Sequence, residues 1–307
     1  FCMSKVSLIV PCYNEESNII PFYEEILKTF KDIDADFELL FVDDGSKDNT
    51  LQKIKNLNND DKRVKCVSFA RNFGKEAALF AGIRNVTGDC AVILDADLQH
   101  PPCVIKEMFQ KWKEGFEVVE GIKTSRGKES ILHKAFSQIF YGLMSKAVKM
   151  DMKNSSDYKL LDKKVIAQLA ALKERNTFFR ALSFWVGFKK TTVYYEVQER
   201  MSGVSKWSTK ALTRYAINNV ICFSYAPLHI IAVVGFIFIF IAIGVSIDAL
   251  ISFIRGNAAQ GFPTIILVLL LGFGAILISL GIIGVYIAQI YDEVKMRPQY
   301  VIGEKIE

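Results

Sequence analysis

Two carboxylates stand close together directly after an apolar stretch of the chain. Asp95 and Asp97 follow residues 91–94, all of which are apolar, and such a run bounded by polar residues and prolines is typical of a buried parallel strand. If the backbone stays extended, alternate side chains point the same way, so both carboxylates face one ligand. Without cysteine or histidine partners at ligand spacing, their oxygens suit a hard divalent ion that also contacts a substrate's phosphates. The alternative is a turn in which the aspartates cap a helix.

Two earlier predicted strands also end in acidic residues. The strand expected at 6–10 is followed by Glu15, and the strand expected at 37–42 by Asp43 and Asp44. The carboxyl ends of parallel strands meet at one edge of an open α/β sheet, where ligands bind. Three such strand ends favour a site for a metal and a nucleoside diphosphate over isolated turns. Neither a dinucleotide-binding glycine motif nor a P-loop is present in the sequence.

Composition divides the chain into a charged part and an apolar part. Apolar residues make up 51% of the 307 residues, and they are concentrated after Tyr225. The formal net charge of +5 fits attraction to anionic phosphates or lipid headgroups, but it is too small to indicate nucleic acid binding. The six cysteines are scattered without a zinc-like spacing, which favours a reducing compartment and a cytoplasmic location for the large domain.

Two long apolar runs, at 227–254 and 263–291, predict a membrane anchor. Each exceeds the roughly 20 residues that cross the hydrocarbon core of a bilayer. Basic residues precede the first run at 206–214 and follow the second at 295–305. The positive-inside rule therefore places both flanks in the cytoplasm and predicts a transmembrane hairpin. Small residues in the second run allow close helix packing and hence a homo-oligomer.

The alternation of strands and helices before the apolar runs predicts an α/β domain with a mostly parallel sheet. We expect a cytoplasmic catalytic domain at 1–207, a juxtamembrane amphipathic helix at 208–224, a transmembrane hairpin at 225–292 and a cytoplasmic tail at 293–307. Within the first domain, residues 130–150 mix large apolar side chains with lysines. They predict an interfacial helix, with an ordinary surface helix as the alternative.

Six segments in this order resemble the family 2 glycosyltransferases with the GT-A fold. They are VSLIVPCYNEESNI at 6–19, LLFVDDGSKDNT at 39–50, RNFGKEAALFAG at 71–82, ILDADLQHPP at 93–102, NSSDYKLLD at 154–162 and QERMSGVSKW at 198–207. Within that family, the membrane hairpin makes the chain similar to the polyprenyl-phosphate glycosyltransferases. These include the dolichol-phosphate mannose synthase group and the bacterial undecaprenyl-phosphate glucosyltransferases with two C-terminal spans. The resemblance implies a Rossmann-like GT-A catalytic domain.

The resemblance also implies a donor site. Its residues would be Pro11, Tyr13, Glu15 and Asp43 around the nucleoside, Asp95, Ala96 and Asp97 at the diphosphate, Gln99 near the sugar, and Arg200, Ser205 and Lys206 closing over the phosphates. Asp95 and Asp97 would hold Mg²⁺ or Mn²⁺. The alternative for the basic loop is that it faces anionic lipid. Asp44 is expected to support its loop through backbone hydrogen bonds, and His100 is expected to be a solvated loop residue.

Catalysis and acceptor binding are implied for three further residues. Asp157 occupies the position of the family's catalytic carboxylate, and Lys123 and Arg126 are the candidates for the acceptor's lipid phosphate. A phosphate monoester is largely ionised at neutral pH, because its second pKa is about 6. Asp157 therefore either accepts a residual proton or orients the acceptor.

The expected reaction is the metal-dependent, inverting transfer of a hexose from a UDP-sugar to undecaprenyl phosphate at the plasma membrane. UDP-glucose is the first candidate donor, with UDP-N-acetylglucosamine or GDP-mannose as alternatives, since no motif distinguishes the sugars. A processive polysaccharide synthase is disfavoured because the chain lacks a QxxRW motif. A membrane-tethered sugar-nucleotide-binding protein without catalysis is the alternative from another class.

Overall fold

The computed structural model describes residues 3–124, 155–175, 177–196, 226–255 and 262–307, together with Gly142 and Ser145. The chain forms two compact units, one of residues 1–212 with 297–307 and the other of residues 213–296. The predicted helix at 208–224 lies outside the described residues, as does the predicted helix at 130–150 except for Gly142 and Ser145.

The first unit is built on an eight-stranded sheet with the order β7-β5-β6-β4-β1-β2-β3-β8. Its strands are β1 (Lys5–Cys12), β2 (Asp36–Asp43), β3 (Val64–Phe69), β4 (Cys90–Ile93), β5 (Val118–Lys123), β6 (Lys159–Asp162), β7 (Lys190–Tyr195) and β8 (Ile302–Ile306). The pairs β1–β2, β1–β4, β2–β3 and β5–β7 are parallel, whereas β6 is antiparallel to β4 and β5, and β8 is antiparallel to β3. The predicted mixed α/β class with a mostly parallel sheet is confirmed.

Helices separate most of these strands. They are α1 (Ile19–Phe30), α2 (Thr50–Asp60), α3 (Lys75–Asn85), α4 (Ile105–Lys113), α5 (Lys163–Ala171), α6 (Phe179–Trp185), α7 (Ala226–Ile254) and α8 (Phe262–Val294), with a short 3-10 helix at Pro102–Val104. The three strands predicted from apolar runs, at 6–10, 37–42 and 91–94, correspond to β1, β2 and β4.

The core lies on both faces of the central strands, because helices cover both. Val6, Leu8 and Val10 of β1 belong to one buried cluster with Phe22 and Ile26 of α1. Side chains alternate along a strand, so Ile9 points to the opposite face. There it meets α3 at Gly82, where an added Cβ would collide with the Ile9 side chain. A glycine at this position lets the helix lie directly on the sheet.

The direction of β6 determines which residues share the ligand-binding edge. Lys159, the first residue of β6, pairs with Ile93 near the end of β4 and with Glu120 in β5. Because β6 runs against both neighbours, the segment before it lies at the edge where those strands end. Asp157 and the end of β5 therefore join the carboxyl ends of β1, β2 and β4.

The C-terminal residues contribute the edge strand β8, which the sequence did not predict. Ile306 pairs with Cys66 and Ile302 with Phe69, so β8 covers the outer side of β3. Residues 297–307 thus belong to the first unit, although 293–307 was expected only as a tail. Covering the edge of β3 removes a row of unpaired backbone groups.

The second unit contains the two apolar helices α7 and α8. Segments of these helices, Pro227–Val245 and Val268–Val294, are long and apolar enough to cross a membrane, with mean hydropathies of 2.9 and 2.6. Most of their large apolar side chains are exposed, as lipid-facing residues would be. Residues 256–261 between them lie outside the described part of the chain.

Substituting Gly82→Ala tests the close approach of α3 to β1. The added methyl would overlap Ile9, and such overpacking costs about 1–3 kcal/mol. We expect a lower midpoint in thermal unfolding of the full chain in detergent. Gly142→Ala is the matched control, because no described atom lies within 4 Å of the added Cβ in that helical position. An equal loss in both variants would contradict the packing explanation.

Candidate active site

Four charged side chains form a continuous set of ion pairs at the carboxyl edge of the sheet. The Lys75 ammonium lies 2.7 Å from Asp95 Oδ1 and 3.1 Å from Asp157 Oδ2. Arg180 contacts Asp157 through two nitrogens, with Nε 2.7 Å from Oδ1 and Nη2 3.0 Å from Oδ2. Asp157 is buried, whereas Lys75, Asp95 and Arg180 are half-buried. We call Lys75, Asp95, Asp157 and Arg180 the charge cluster.

The four members of the charge cluster lie at or beside the start or end of four different elements. Asp95 follows β4 by two residues. The intervening Leu94 still pairs with β1, because its N–H donates a hydrogen bond to the Ile9 carbonyl. Asp157 precedes β6, Lys75 is the first residue of α3, and Arg180 is the second residue of α6. The side chains converge because strand ends and helix starts meet at one edge of an α/β sheet.

The cations of the cluster keep its carboxyls ionised. Burial by itself would raise the pKa of Asp157, but Arg180 and then Lys75 hold it well below its usual range. Asp95 behaves in the same way: burial opposes ionisation, and Lys75 followed by His100 outweighs it, so its pKa is lowered. The pKa of Lys75 is raised, since Asp95 and Asp157 outweigh the burial that would lower it. Asp157 is therefore a weak proton acceptor in this arrangement.

Asp44 positions the loop that carries Lys75. Its carboxylate accepts hydrogen bonds from the backbone N–H groups of Phe73, at 2.6 Å, and Gly74, at 2.9 Å. Gly74 has a φ of +99°, a backbone conformation that residues with a side chain rarely adopt. Asp44 was expected to support its own loop, after β2; it does accept backbone hydrogen bonds, but from a different loop. The loop it supports is the one after β3, directly before Lys75.

Asp97 lies in a turn rather than in a continuation of β4. The strand ends at Ile93, and residues 96–97 form a turn. Asp97 Oδ1 accepts a hydrogen bond from Gln99 N–H at 3.1 Å, and Leu98 has a φ of +59°. The extended backbone expected through Asp95 and Asp97 was therefore wrong. Ala96 is buried and Gln99 half-buried in the same segment.

The oxygens of Asp95 and Asp97 fit a divalent ion in donor type. Among the described residues, no group of three or more His, Cys, Asp or Glu side chains could hold a metal by itself. Mg²⁺ usually binds one or two carboxylates together with substrate phosphates and water. Two carboxylates beside three cations, Lys75, Arg180 and Lys123, suit an ion that arrives with a diphosphate.

The predicted nucleoside residues lie at the ends of β1 and β2. Asp43 is buried, and its two oxygens accept hydrogen bonds from Ser46 N–H at 3.1 Å and the Ser68 hydroxyl at 2.7 Å. Glu15 accepts a 2.6 Å hydrogen bond from the Asn18 amide. Pro11 and Tyr13 are half-buried in the same region. Their contact with a nucleoside stays a prediction.

Lys123 is brought to the site, whereas several other predicted basic residues lie outside the described chain. It is the last residue of β5 and is half-buried; burial lowers its pKa, and Asp95 opposes that shift. Its backbone pairs with Tyr195 at the end of β7. Four of the residues predicted to bind phosphates lie outside the described part of the chain: Arg126, Arg200, Ser205 and Lys206.

Three residues were missed or misjudged from sequence. Lys75 lies within the segment at 71–82 that resembles the family, but nothing in the sequence indicated that its ammonium contacts Asp95 and Asp157. No motif in the sequence analysis contains Arg180, so its place in the site was not predicted. His100 is only 5% exposed and stacks on Tyr158 with ring centroids 5.1 Å apart, so the expectation of a solvated loop residue was wrong. Its Nδ1 lies 3.7 Å from Asp95 Oδ2.

A buried ion pair below the charge cluster ties Asp157 to α6. Glu120 Oε1 accepts hydrogen bonds from the Ser155 hydroxyl at 2.8 Å and Ser156 N–H at 3.0 Å, and it lies 3.2 Å from Lys159 Nζ. Lys159 in turn donates to the Ser183 hydroxyl at 2.7 Å. The two segments that carry Asp157 and Arg180 are thus held by one polar network.

Residues 7–166 of the chain match the family model described as Glycosyl transferase family 2. CsbB of Bacillus subtilis, which is named a glycosyltransferase, is 39% identical over 301 residues, covering 97% of this chain and 91% of its own. The SfII prophage-derived bactoprenol glucosyl transferase of Shigella flexneri is 35% identical over 304 residues, covering 97% of each. A crystal structure of glucosyl-3-phosphoglycerate synthase from Mycobacterium tuberculosis covers 71% of this chain and 79% of its own, at 19% identity and a TM-score of 0.48. A likeness at that level does not extend to ligands or activity.

Arg180→Gln tests the pairing of Asp157. We expect a loss of about 1–3 kcal/mol in stability at neutral pH, because a buried carboxylate loses its bidentate partner. The pKa of Asp157 is lowered in the folded state. Its pairing therefore stabilises the fold above the unfolded-state pKa of about 3.9, and this stabilisation is lost as the pH falls further. Thermal unfolding of both proteins should show a larger difference at neutral pH than under acid conditions.

Lys28→Gln is the control for this variant. Lys28 forms an ion pair with Glu25 at 3.2 Å in which both side chains are exposed, at 68% and 40%, and exposed pairs contribute about 0–1 kcal/mol. An equal loss of stability in both variants would contradict a larger contribution from the buried Asp157 pair.

Proposed function

The chain belongs to glycosyl transferase family 2, and on this premise we propose that it transfers a hexose from a UDP-sugar to the phosphate of undecaprenyl phosphate. The predicted enzyme class, a glycosyltransferase, is confirmed, as is the predicted α/β fold with a mostly parallel sheet and two apolar helices long enough to span a membrane. UDP-glucose is the first candidate donor, because a relative that shares the full length is named a bactoprenol glucosyl transferase. Bactoprenol is a polyprenol, which supports a polyprenyl phosphate as acceptor.

The observation that carries the proposal is the charge cluster. Asp95 and Asp157 each have a cation within hydrogen-bonding distance, and Lys123 lies nearby. Lysine and arginine are the side chains that bind phosphate oxygens, arginine with two parallel hydrogen bonds. Two substrates that each carry phosphate would place several negative charges at this edge. The cations needed to hold them are already there.

Asp95 and Asp97 would hold Mg²⁺ or Mn²⁺ together with the donor's diphosphate. The ion would neutralise charge that develops on the leaving diphosphate. Lys75 would then turn from Asp95 towards the phosphate oxygens, since its ammonium is a mobile point charge. Arg180 stays fixed by the buried Asp157.

Asp157 would orient cations rather than take a proton. An oxygen of the acceptor phosphate attacks the anomeric carbon, the bond from that carbon to the UDP oxygen breaks, and UDP leaves with the electron pair. The acceptor dianion becomes a phosphodiester monoanion, so no proton has to be removed. The lowered pKa of Asp157 agrees with this role. In-line attack with inversion is what the family resemblance implies.

The two apolar helices would anchor the enzyme where its lipid acceptor resides. The basic flanks at 206–214 and 295–305 would place the catalytic unit on the cytoplasmic side by the positive-inside rule. That side also supplies sugar nucleotides.

Turnover by the full chain tests the proposed reaction. We expect purified protein in detergent, with Mn²⁺ or Mg²⁺ and undecaprenyl phosphate, to release UDP from UDP-glucose faster than from other sugar nucleotides. Asp97→Asn should lower this rate at least about 100-fold, since charge stabilisation of the leaving group is lost. Asp60→Asn, at an exposed carboxylate on α2, should keep the wild-type rate. Binding of sugar nucleotides without any UDP release would favour the non-catalytic alternative.

Lys75→Met separates metal binding from turnover. In the free enzyme the Lys75 ammonium competes with a divalent ion for Asp95. Removing that charge should tighten Mn²⁺ binding without nucleotide by about tenfold or more, because repulsion of a dication at this distance is strong even with solvent screening. UDP release should fall in the same variant. Free Mn²⁺ measured by electron paramagnetic resonance gives the affinity; unchanged or weaker binding in a folded variant contradicts the competition.

A further inference from the structure

The loop between β3 and α3, residues 70–74, presents Lys75 to the site, and the C-terminal segment lies against its base. Tyr300 stacks on Phe69, with ring centroids 4.9 Å apart and an angle of 12° between the planes. Phe69 packs edge to face on Phe73, with centroids 5.8 Å apart. Ala70 N–H donates a 3.0 Å hydrogen bond to the Val301 carbonyl. Two residues after Phe73 comes Lys75.

The same segment also holds the far end of α3. Arg84, in the last turn of that helix, donates a 2.8 Å hydrogen bond to Gln299 Oε1 and lies 5.9 Å from the centre of the Tyr300 ring. Gln299 also donates to the Glu174 carbonyl. Residues 299–301 therefore contact both the loop before α3 and the C-terminal end of α3.

We propose that residues 299–301, the C-terminal clasp, are a positioning element for Lys75. The proposal rests on the role of Lys75 under the proposed function. Asp44 holds the N–H groups of Phe73 and Gly74 from one side. From the other side, the clasp accepts the Ala70 N–H and stacks on Phe69, against which the loop's Phe73 packs. Because α3 is held at both ends, the backbone of Lys75 stays in place, and only its side chain would turn between Asp95 and the phosphate oxygens. Misplacing a catalytic group by about 1 Å lowers rates by up to about 100-fold.

Tyr300→Ala, Tyr300→Phe and Glu304→Gln in the full chain test the clasp. Tyr300→Ala removes the ring, whereas Tyr300→Phe keeps the stacking on Phe69. Glu304→Gln is the matched control, because Glu304 lies in β8, four residues after Tyr300, and its side chain forms a surface ion pair with Lys55 at 2.8 Å. Two measurements are compared: hydrogen exchange of a peptide spanning residues 69–76, and the kcat and KM of UDP release.

We expect Tyr300→Ala to speed exchange in that peptide several-fold and to lower kcat by about tenfold or more, with a smaller change in the donor KM. Tyr300→Phe and Glu304→Gln should match the wild type in both measurements. Wild-type exchange in Tyr300→Ala, or an equal kinetic loss in Glu304→Gln, would overturn the proposal. The exchange measurement needs no turnover, so failure of the proposed reaction leaves it a separate test of the clasp.

Discussion

Two carboxylates stay ionised next to each other in a partly buried site only when cations separate them. Asp95 and Asp157 meet this condition through the shared Lys75 ammonium, and Arg180 covers the other side of Asp157. Pairing each charge offsets the cost of removing it from water. The strand directions, the loop held by Asp44 and the network around Lys159 all act to keep these four groups at hydrogen-bonding distance.

The reversed strand β6 is the topological feature that completes the site. In a fully parallel sheet only residues that follow strands would lie at this edge. Because β6 runs against β4 and β5, the residues before it enter the same edge, and Asp157 arrives opposite Asp95. The end of β5, with Lys123, lies at this edge because β5 has the same direction as β4. Acidic and basic side chains from distant parts of the chain thus meet in one place.

The apolar strands and their acidic ends were predictable because burial on both faces of a sheet demands continuous apolar residues. Strand β6 was not, since its first residue is Lys159, which becomes tolerable in the core only through Glu120 and Ser183. The pairing of Arg180 with Asp157 depends on the same three-dimensional arrangement. Strand β8 contains Gly303, Glu304 and Lys305 and has no apolar alternation of its own. Its pairing with β3 comes from a free sheet edge rather than from local propensity.

The charge cluster also explains how a site with three carboxylates would accept anionic substrates. In the free enzyme Lys75 and Arg180 neutralise Asp95 and Asp157, so neither carboxylate faces an incoming phosphate without a cation beside it. Under the proposed function, Asp95 would hold the metal ion and Lys75 would turn from Asp95 to the phosphate oxygens. Each charge would keep a partner of opposite sign in this exchange, which would limit the desolvation cost of donor binding. Arg180 would stay in place, because Asp157 is buried and holds it through two hydrogen bonds. The two cations would then have different roles: Lys75 would bind the donor's diphosphate, and Arg180 would keep a constant positive charge beside the reacting groups.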